Sequence, residues 1–249
     1  MSNEKTKKQV PLILAIETAT RAGGVAITRG ENMLAAIAGN ATVSHSINLL
    51  EMVERVLSEA GLSLADVDLF AVAVGPGSFT GLRIGLATAK AFAVHLHRSL
   101  VGVPTLAALA HASQLTGNIV ALLPAGRGEV FAQQFISGNQ IVTAVAEPQH
   151  LSPAEVVEKY AGLQDLSFVG DGVRMIEDVR VHATHDSDAA GREASELALA
   201  PSVAALALRA YQEGQAVAPD ELRALYVRAS DAEINERWQQ QKLQQSAQN

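Results

Sequence analysis

The sequence predicts an α/β protein built on mixed sheets, laid out as two consecutive units. Three observations predict it. Short apolar runs of strand length alternate with longer segments of helical period. The run Leu69–Val74 is apolar throughout, as in a parallel strand buried on both faces. A strand-turn-strand-turn-strand series followed by a helix and a strand occurs twice, from Leu12 and again from Asn118. No sequence period accompanies it, so the repeat is one of architecture.

In the first unit, Leu12–Ile16 reads as a strand closed by Glu17-Thr18-Ala19-Thr20. Gly23-Gly24 turns the chain into Val25–Thr28, and Arg29–Asn32 turns it again into Met33–Ala38, giving a meander. Ser44 or Ser46 is a helix N-cap candidate. From Ile47 to Ala60 apolar residues recur at helical spacing, and Gly61 stops the helix. After the strand Leu69–Val74 comes Gly75-Pro76-Gly77-Ser78-Phe79-Thr80-Gly81, then a helix over Leu82–His97. Val101–Val103 reads as a strand and Leu106–Leu115 as a helix.

In the second unit, Ile119–Leu123, Val130–Ile136 and Gln140–Ala146 read as strands separated by turns. Ser152-Pro153 starts a helix, with Pro at its first position. Leu166–Val169 is a strand, 182–195 a polar loop, and Ser202–Glu213 a helix. The expected organisation is an extension over 1–10, a unit over 11–117, a second over 118–238, and a disordered glutamine-rich tail over 239–249.

Composition narrows the function. The chain has 249 residues, no cysteine and a net charge of −7. Disulfides, thiolate metal sites and a cysteine nucleophile are excluded. The acidic balance argues against a protein that coats nucleic acid by itself. The most apolar window, Ile84–Val103, is broken by Lys90, His95, His97 and Arg98, so no membrane span is expected. The N-terminus lacks the apolar stretch of a signal peptide, which leaves the cytoplasm as the expected location.

Four features are candidates for function. The segment Gly75–Gly81 follows a buried strand and opens a helix, where free amides favour anions. It lacks the Gly-Lys-Ser/Thr of a P-loop and the final glycine of a dinucleotide fingerprint. It reads either as a tight corner or as a ligand site using Gly75, Gly77 and Ser78. Glu17 and Thr18 read either as a solvated turn or as holders of a metal-bound phosphate. Gly81, Gly85, Ala89 and Ala93 form a row of small residues at spacing four, which admits close approach of another helix, either the chain's own neighbour or a partner. Arg83, Lys90 and His97 form a basic stripe on the same helix. The helix Ile47–Ala60 has a broad apolar arc centred on Leu49, Val53 and Val56, widened by Leu50. No His-x-x-x-His pair and no nucleophile elbow occurs; His182, His185, Asp186 and Asp188 are the one His/Asp cluster.

The segments LAIETAT, GGVAIT, AVAVGPGSFTGLRIG, VGVPTLAALAH, GRGEVF and YVRASDAE, in this order, resemble the TsaB (YeaZ) family from about Leu12 to Glu233. The resemblance implies two actin-like, RNase H-like (ASKHA) subdomains. It implies a non-catalytic subunit that supports TsaD, with TsaE in the same complex, in making N6-threonylcarbamoyladenosine next to the tRNA anticodon. It implies a heterodimer with TsaD, or a homodimer in isolation, formed through the helices Ile47–Ala60 and Leu82–His97. Docking is then expected to use Leu49, Val53, Val56, Gly81, Arg83, Gly85, Ala89, Lys90 and Ala93, and Gly85→Leu is expected to break the dimer but spare the monomer. ATP and metal are expected to belong to partner subunits, and tRNA to bind only within the complex. The stretch Pro104–Leu109 lacks the histidine pair of TsaD relatives, and Glu17 replaces the usual Asp. The competing readings are an independent ATP-binding enzyme of the actin and sugar-kinase superfamily, using Glu17, Thr18 and the Gly75–Gly81 turn, and a metallopeptidase.

Overall fold

The computed structural model describes residues 10–39, 45–139, 141–182, 191–192 and 198–227. The first five strands are β1 (Leu12–Glu17), β2 (Gly24–Arg29), β3 (Asn32–Ala38), β4 (Leu69–Gly75) and β5 (Ser99–Pro104). They form one sheet in the order β3-β2-β1-β4-β5. β1 is antiparallel to β2 and parallel to β4, so the sheet is mixed. α1 (His45–Glu59) and α2 (Phe79–Leu96) lie on it, whereas α3 (Thr105–Ala112), which follows β5, sets Leu106, Leu109 and Ala110 in the core of the second sheet.

The second sheet repeats this plan. Its strands are β6 (Gly117–Gly126), β7 (Glu129–Gly138), β8 (Ile141–Ala144), β9 (Gln149–Leu151), β10 (Leu166–Val169) and β11 (Gly191–Arg192). The order β8-β7-β6-β10-β11 matches that of the first sheet, with β9 as an addition on β7. α4 (Pro153–Tyr160) and α5 (Val173–His182) follow the meander. The mixed-sheet plan predicted from the sequence is thus present twice.

Several boundaries differ from the sequence reading. α2 begins three residues earlier than Leu82 because the Ser78 hydroxyl accepts a bond from the Gly81 amide at 3.2 Å and caps it. Ser46 lies inside α1, and Ser44 lies outside the described residues. α5 has no counterpart in the sequence reading; charged residues surround its two buried anchors, Val173 and Ile176, which pack with Val156 and Tyr160 of α4. β9 is too short to show alternation. His185, Asp186 and Asp188 lie outside the described residues, as does everything beyond Val227.

The most consequential difference concerns α6 (Leu199–Gln212). It comes from the stretch expected to form the second unit, yet it packs on the first sheet. Ala200, Val203, Ala204 and Ala207 are buried against Ile13, Ala15, Ala26, Ala71 and Ala73. Both surfaces are rich in alanine, so helix and sheet approach closely with few voids. The chain then straps the sheet's β5 edge. Leu100 and Val217 exchange backbone bonds of 3.0 and 2.8 Å, and the Leu225 amide donates to Val74 O at 2.7 Å. The opposite face of the first sheet carries α1 and α2 over Leu14, Ile16, Val25, Phe70 and Val72.

Candidate functional site

The candidate residues converge where β1 ends and α2 begins. Glu17 and Thr18 are both buried. One Glu17 carboxylate oxygen accepts the Thr20 amide at 2.8 Å, and the other accepts the Thr20 hydroxyl at 2.6 Å. Thr18 donates its hydroxyl to Gly81 O at 2.7 Å. The Ser78 amide donates to Ala19 O at 2.8 Å. The hairpin after β1 is therefore latched to the first turn of α2 by the groups expected to meet a phosphate.

The glycines serve that latch. A Cβ on Gly77 would stand 2.4 Å from Ala19 O, and one on Gly81 would stand 1.9 Å from Thr18 O. A Cβ on Gly85 would stand 2.2 Å from the Thr18 hydroxyl. Gly75 has φ +113°, and a Cβ there would meet Leu225 O at 2.6 Å. Its peptide with Pro76 is cis. The segment Gly75–Gly81 is a tight corner whose close neighbours are the chain's own backbone.

This corrects the expected docking row. Gly81, Gly85, Ala89 and Ala93 do admit a close neighbour, but it is the chain's own: Gly81 and Gly85 meet Thr18 at the end of β1, and Ala89 and Ala93 lie in the core of the first sheet. All four are buried. Leu49, Val53 and Val56 are likewise buried, at 2%, 3% and 0% exposure, in the core beneath α1 and α2. They supply apolar area to the monomer. Gly85→Leu would strike Thr18 and injure the monomer itself. Lys90 also turns inward: its ammonium donates to Leu222 O at 2.7 Å, pinning the C-terminal strap. Of the expected docking residues Arg83 alone is exposed, with its guanidinium 3.8 Å from the centre of the Phe79 ring.

The opposite side of α2 is where apolar surface remains. Thr80, Ala87, Ala91, Val94 and His95 are exposed, and Ile84 is half-buried. α1 touches α2 and leaves Leu50 exposed. Val94 is 61% and Leu50 58% exposed. The signal for this face was present in the sequence: α2 is apolar almost all round, so one buried side accounts for only half of it. Among the described residues there is no group of three or more His, Asp or Glu able to hold a metal. They also include no helix long and apolar enough to cross a membrane. His111, on α3, bonds to the Ser202 hydroxyl of α6 at 2.9 Å. Burial lowers its pKa below the ordinary histidine value.

Comparison with known proteins agrees with this architecture. The family model described as "TsaD: tRNA N6-adenosine threonylcarbamoyltransferase" matches residues 38–236. A TsaB protein of Escherichia coli, named for tRNA threonylcarbamoyladenosine biosynthesis, is 29% identical over 87% of this chain and 94% of its own. Its namesake in Bacillus subtilis is 30% identical over 67% of this chain and 76% of its own. The solved structure of YeaZ from Pseudomonas aeruginosa superposes with a TM-score of 0.75 at 26% identity, covering 87% of this chain and 99% of that one. A match that spans both sheets and the helices between them leaves one conclusion: the chain belongs to the TsaB (YeaZ) family, within the wider group that the TsaD model describes.

Proposed function

We propose that this chain is a non-catalytic subunit of the assembly that makes N6-threonylcarbamoyladenosine in tRNA, and that it supports a catalytic TsaD subunit by docking to it. The observation that carries the reading is the outer face of α1 and α2, where Leu50, Ala87, Ala91 and Val94 lie exposed beside half-buried Ile84. Small residues at Ala87 and Ala91 admit a partner helix closely, and Leu50 and Val94 supply area worth burying. Arg83 lies at the rim, where a charge steers and orients a partner. The same face serves a homodimer when TsaD is absent, TsaE joins through the complex, and tRNA binds only once the complex has formed.

The engagement of Glu17 with Thr20 and of Thr18 with Gly81 favours this reading over an independent ATP-binding enzyme. Both groups already hold partners within the chain. ATP and metal belong, in this reading, to the partner subunits, and the work is done in the cytoplasm where tRNA is modified. The test is the mass of the purified chain with its cognate TsaD by light scattering, alongside Ala91→Glu. The wild type is expected to form a heterodimer. The variant, with an unpaired carboxylate pressed into an apolar interface, is expected to lose about a hundredfold in affinity, roughly 3 kcal/mol. A folded Ala91→Glu chain that binds TsaD as the wild type does would remove this interface.

A further inference from the structure

We infer that Arg83, Phe79 and Tyr226 form a stacking platform for an unpaired base of the tRNA, used once the chain is docked on TsaD; the inference rests on the function proposed above. Phe79 stands in the middle of a row of flat groups. The Arg83 guanidinium lies 3.8 Å from the centre of its ring, and the Tyr226 ring lies 5.5 Å away, centre to centre, at 41°. Tyr226 is 50% exposed and is the one exposed Phe, Tyr or Trp among the described residues. Arg83 is exposed too, and among the described residues it has no carboxylate partner.

Holding the C-terminal strap does not require Tyr226. The strap is bonded to β5 through Leu100 and Val217, to Lys90 through Leu222 O, and to β4 through the Leu225 amide. Leu222 is buried in the first core, and Val227 packs against that of the second sheet. Tyr226 thus sits between two anchored neighbours and still keeps half its surface in solvent. An aromatic face beside an unpaired guanidinium takes a nucleobase by stacking, whatever the base, since every base has a π face. Charge favours the same occupant. Arg21 is exposed on the hairpin that Ala19 O joins to the Ser78 amide, and Arg223 is exposed three residues before Tyr226. On that hairpin the carboxylate is Glu17, which is buried and bonded to Thr20. The exposed acids of the strap, Asp220 and Glu221, precede Leu222, and Glu221 holds the Ala218 amide. A few guanidinium groups and one platform suit a single loop presented by a partner, in a chain whose net charge of −7 does not draw RNA by itself.

The experiment uses the full chain with its cognate TsaD and an unmodified tRNA. Fluorescence anisotropy reads the affinity of the heterodimer for tRNA, and light scattering reads heterodimer mass in the same samples. Tyr226→Ala is expected to weaken tRNA binding roughly tenfold while heterodimer mass and the unfolding midpoint stay in place. Tyr226→Leu, which keeps apolar bulk against Phe79 but offers no aromatic face, is expected to do the same. Tyr226→Phe, which keeps the ring, is expected to bind tRNA as the wild type does. An intact heterodimer whose tRNA affinity is indifferent to Tyr226→Ala and Tyr226→Leu would overturn this inference alone. Variants that lose TsaD rather than tRNA would give the row to the protein interface and would also overturn it. A wild-type chain that forms no heterodimer would remove the proposed function, and this inference with it.

Discussion

The two sheets share one strand order but not one finish. The first carries helices of 15 and 18 residues on one face, α6 on the other, and an uncharged edge strand of seven residues. The second carries helices of 8 and 10 residues and ends in a four-residue strand. A short edge offers few unpaired backbone groups, and short helices leave little surface to share. The first sheet also recruits α6 and the strap at Val217–Leu225 from the far end of the chain. One topology has thus been given longer helices and a returning strap in the first half and kept spare in the second. The difference lies in what is laid on the sheets, since the sheets themselves repeat.

The largest effect that would sharpen this contrast comes from the helix–hairpin contact found in the first unit. Gly85→Leu places a side chain where even a Cβ would collide with Thr18. It is expected to cost at least about 3 kcal/mol of stability in denaturant titration, or to prevent folding. Gly162→Ala, in the second unit, has nothing within 4 Å and should shift stability by less than about 0.5 kcal/mol. A stable, well-folded Gly85→Leu chain would break the comparison. Next comes Thr18→Val, which leaves Gly81 O without its buried donor and is expected to cost about 1–3 kcal/mol.

Helix caps supply a matched pair of smaller effects. Ser78→Ala removes the cap of α2, and Ser152→Ala removes the capping box that Ser152 forms with Glu155 at α4. Each is expected to cost about 1 kcal/mol. The loss at Ser78 should also weaken TsaD binding, whereas the loss at Ser152 should not. The smallest effect is that of pH on the α3–α6 contact. His111 has a lowered pKa in the folded chain, so the unfolded chain binds its proton first on acidification. Its share of stability is full above the ordinary value of 6.5 and is lost as pH falls below it. His111→Gln should flatten that slope in denaturant midpoints measured on either side of 6.5.

Much of this molecule is legible in its sequence. Apolar runs of strand length and glycine-marked turns place nine of the described strands or their approximate positions, from Leu12 to Val169, apart from β9, and the doubled meander is visible without any repeat of residues. α5 is not, because two buried anchors among charged residues give little contrast. The small-residue row of α2 is also visible, and so is the need for a close neighbour. Its direction is not visible. Spacing four puts Gly81, Gly85, Ala89 and Ala93 on one side of a helix, and the spacing of Thr80, Ala87, Ala91 and Val94 marks another side just as well.

By itself, the sequence determines the alternation of strands and helices, the tight corner at Gly75–Gly81, and the helix apolar on more than one side. These are local matters of period, backbone freedom and side-chain size. Only the tertiary structure decided which side of α2 lies on the sheet, that Lys90 reaches Leu222 O, that α6 crosses to the first sheet, and that β3 stands last in that sheet among the described strands. Each of these depends on partners far away in the chain. Period fixes which residues share a face, but burial of that face against one neighbour or another is settled by how the whole chain packs.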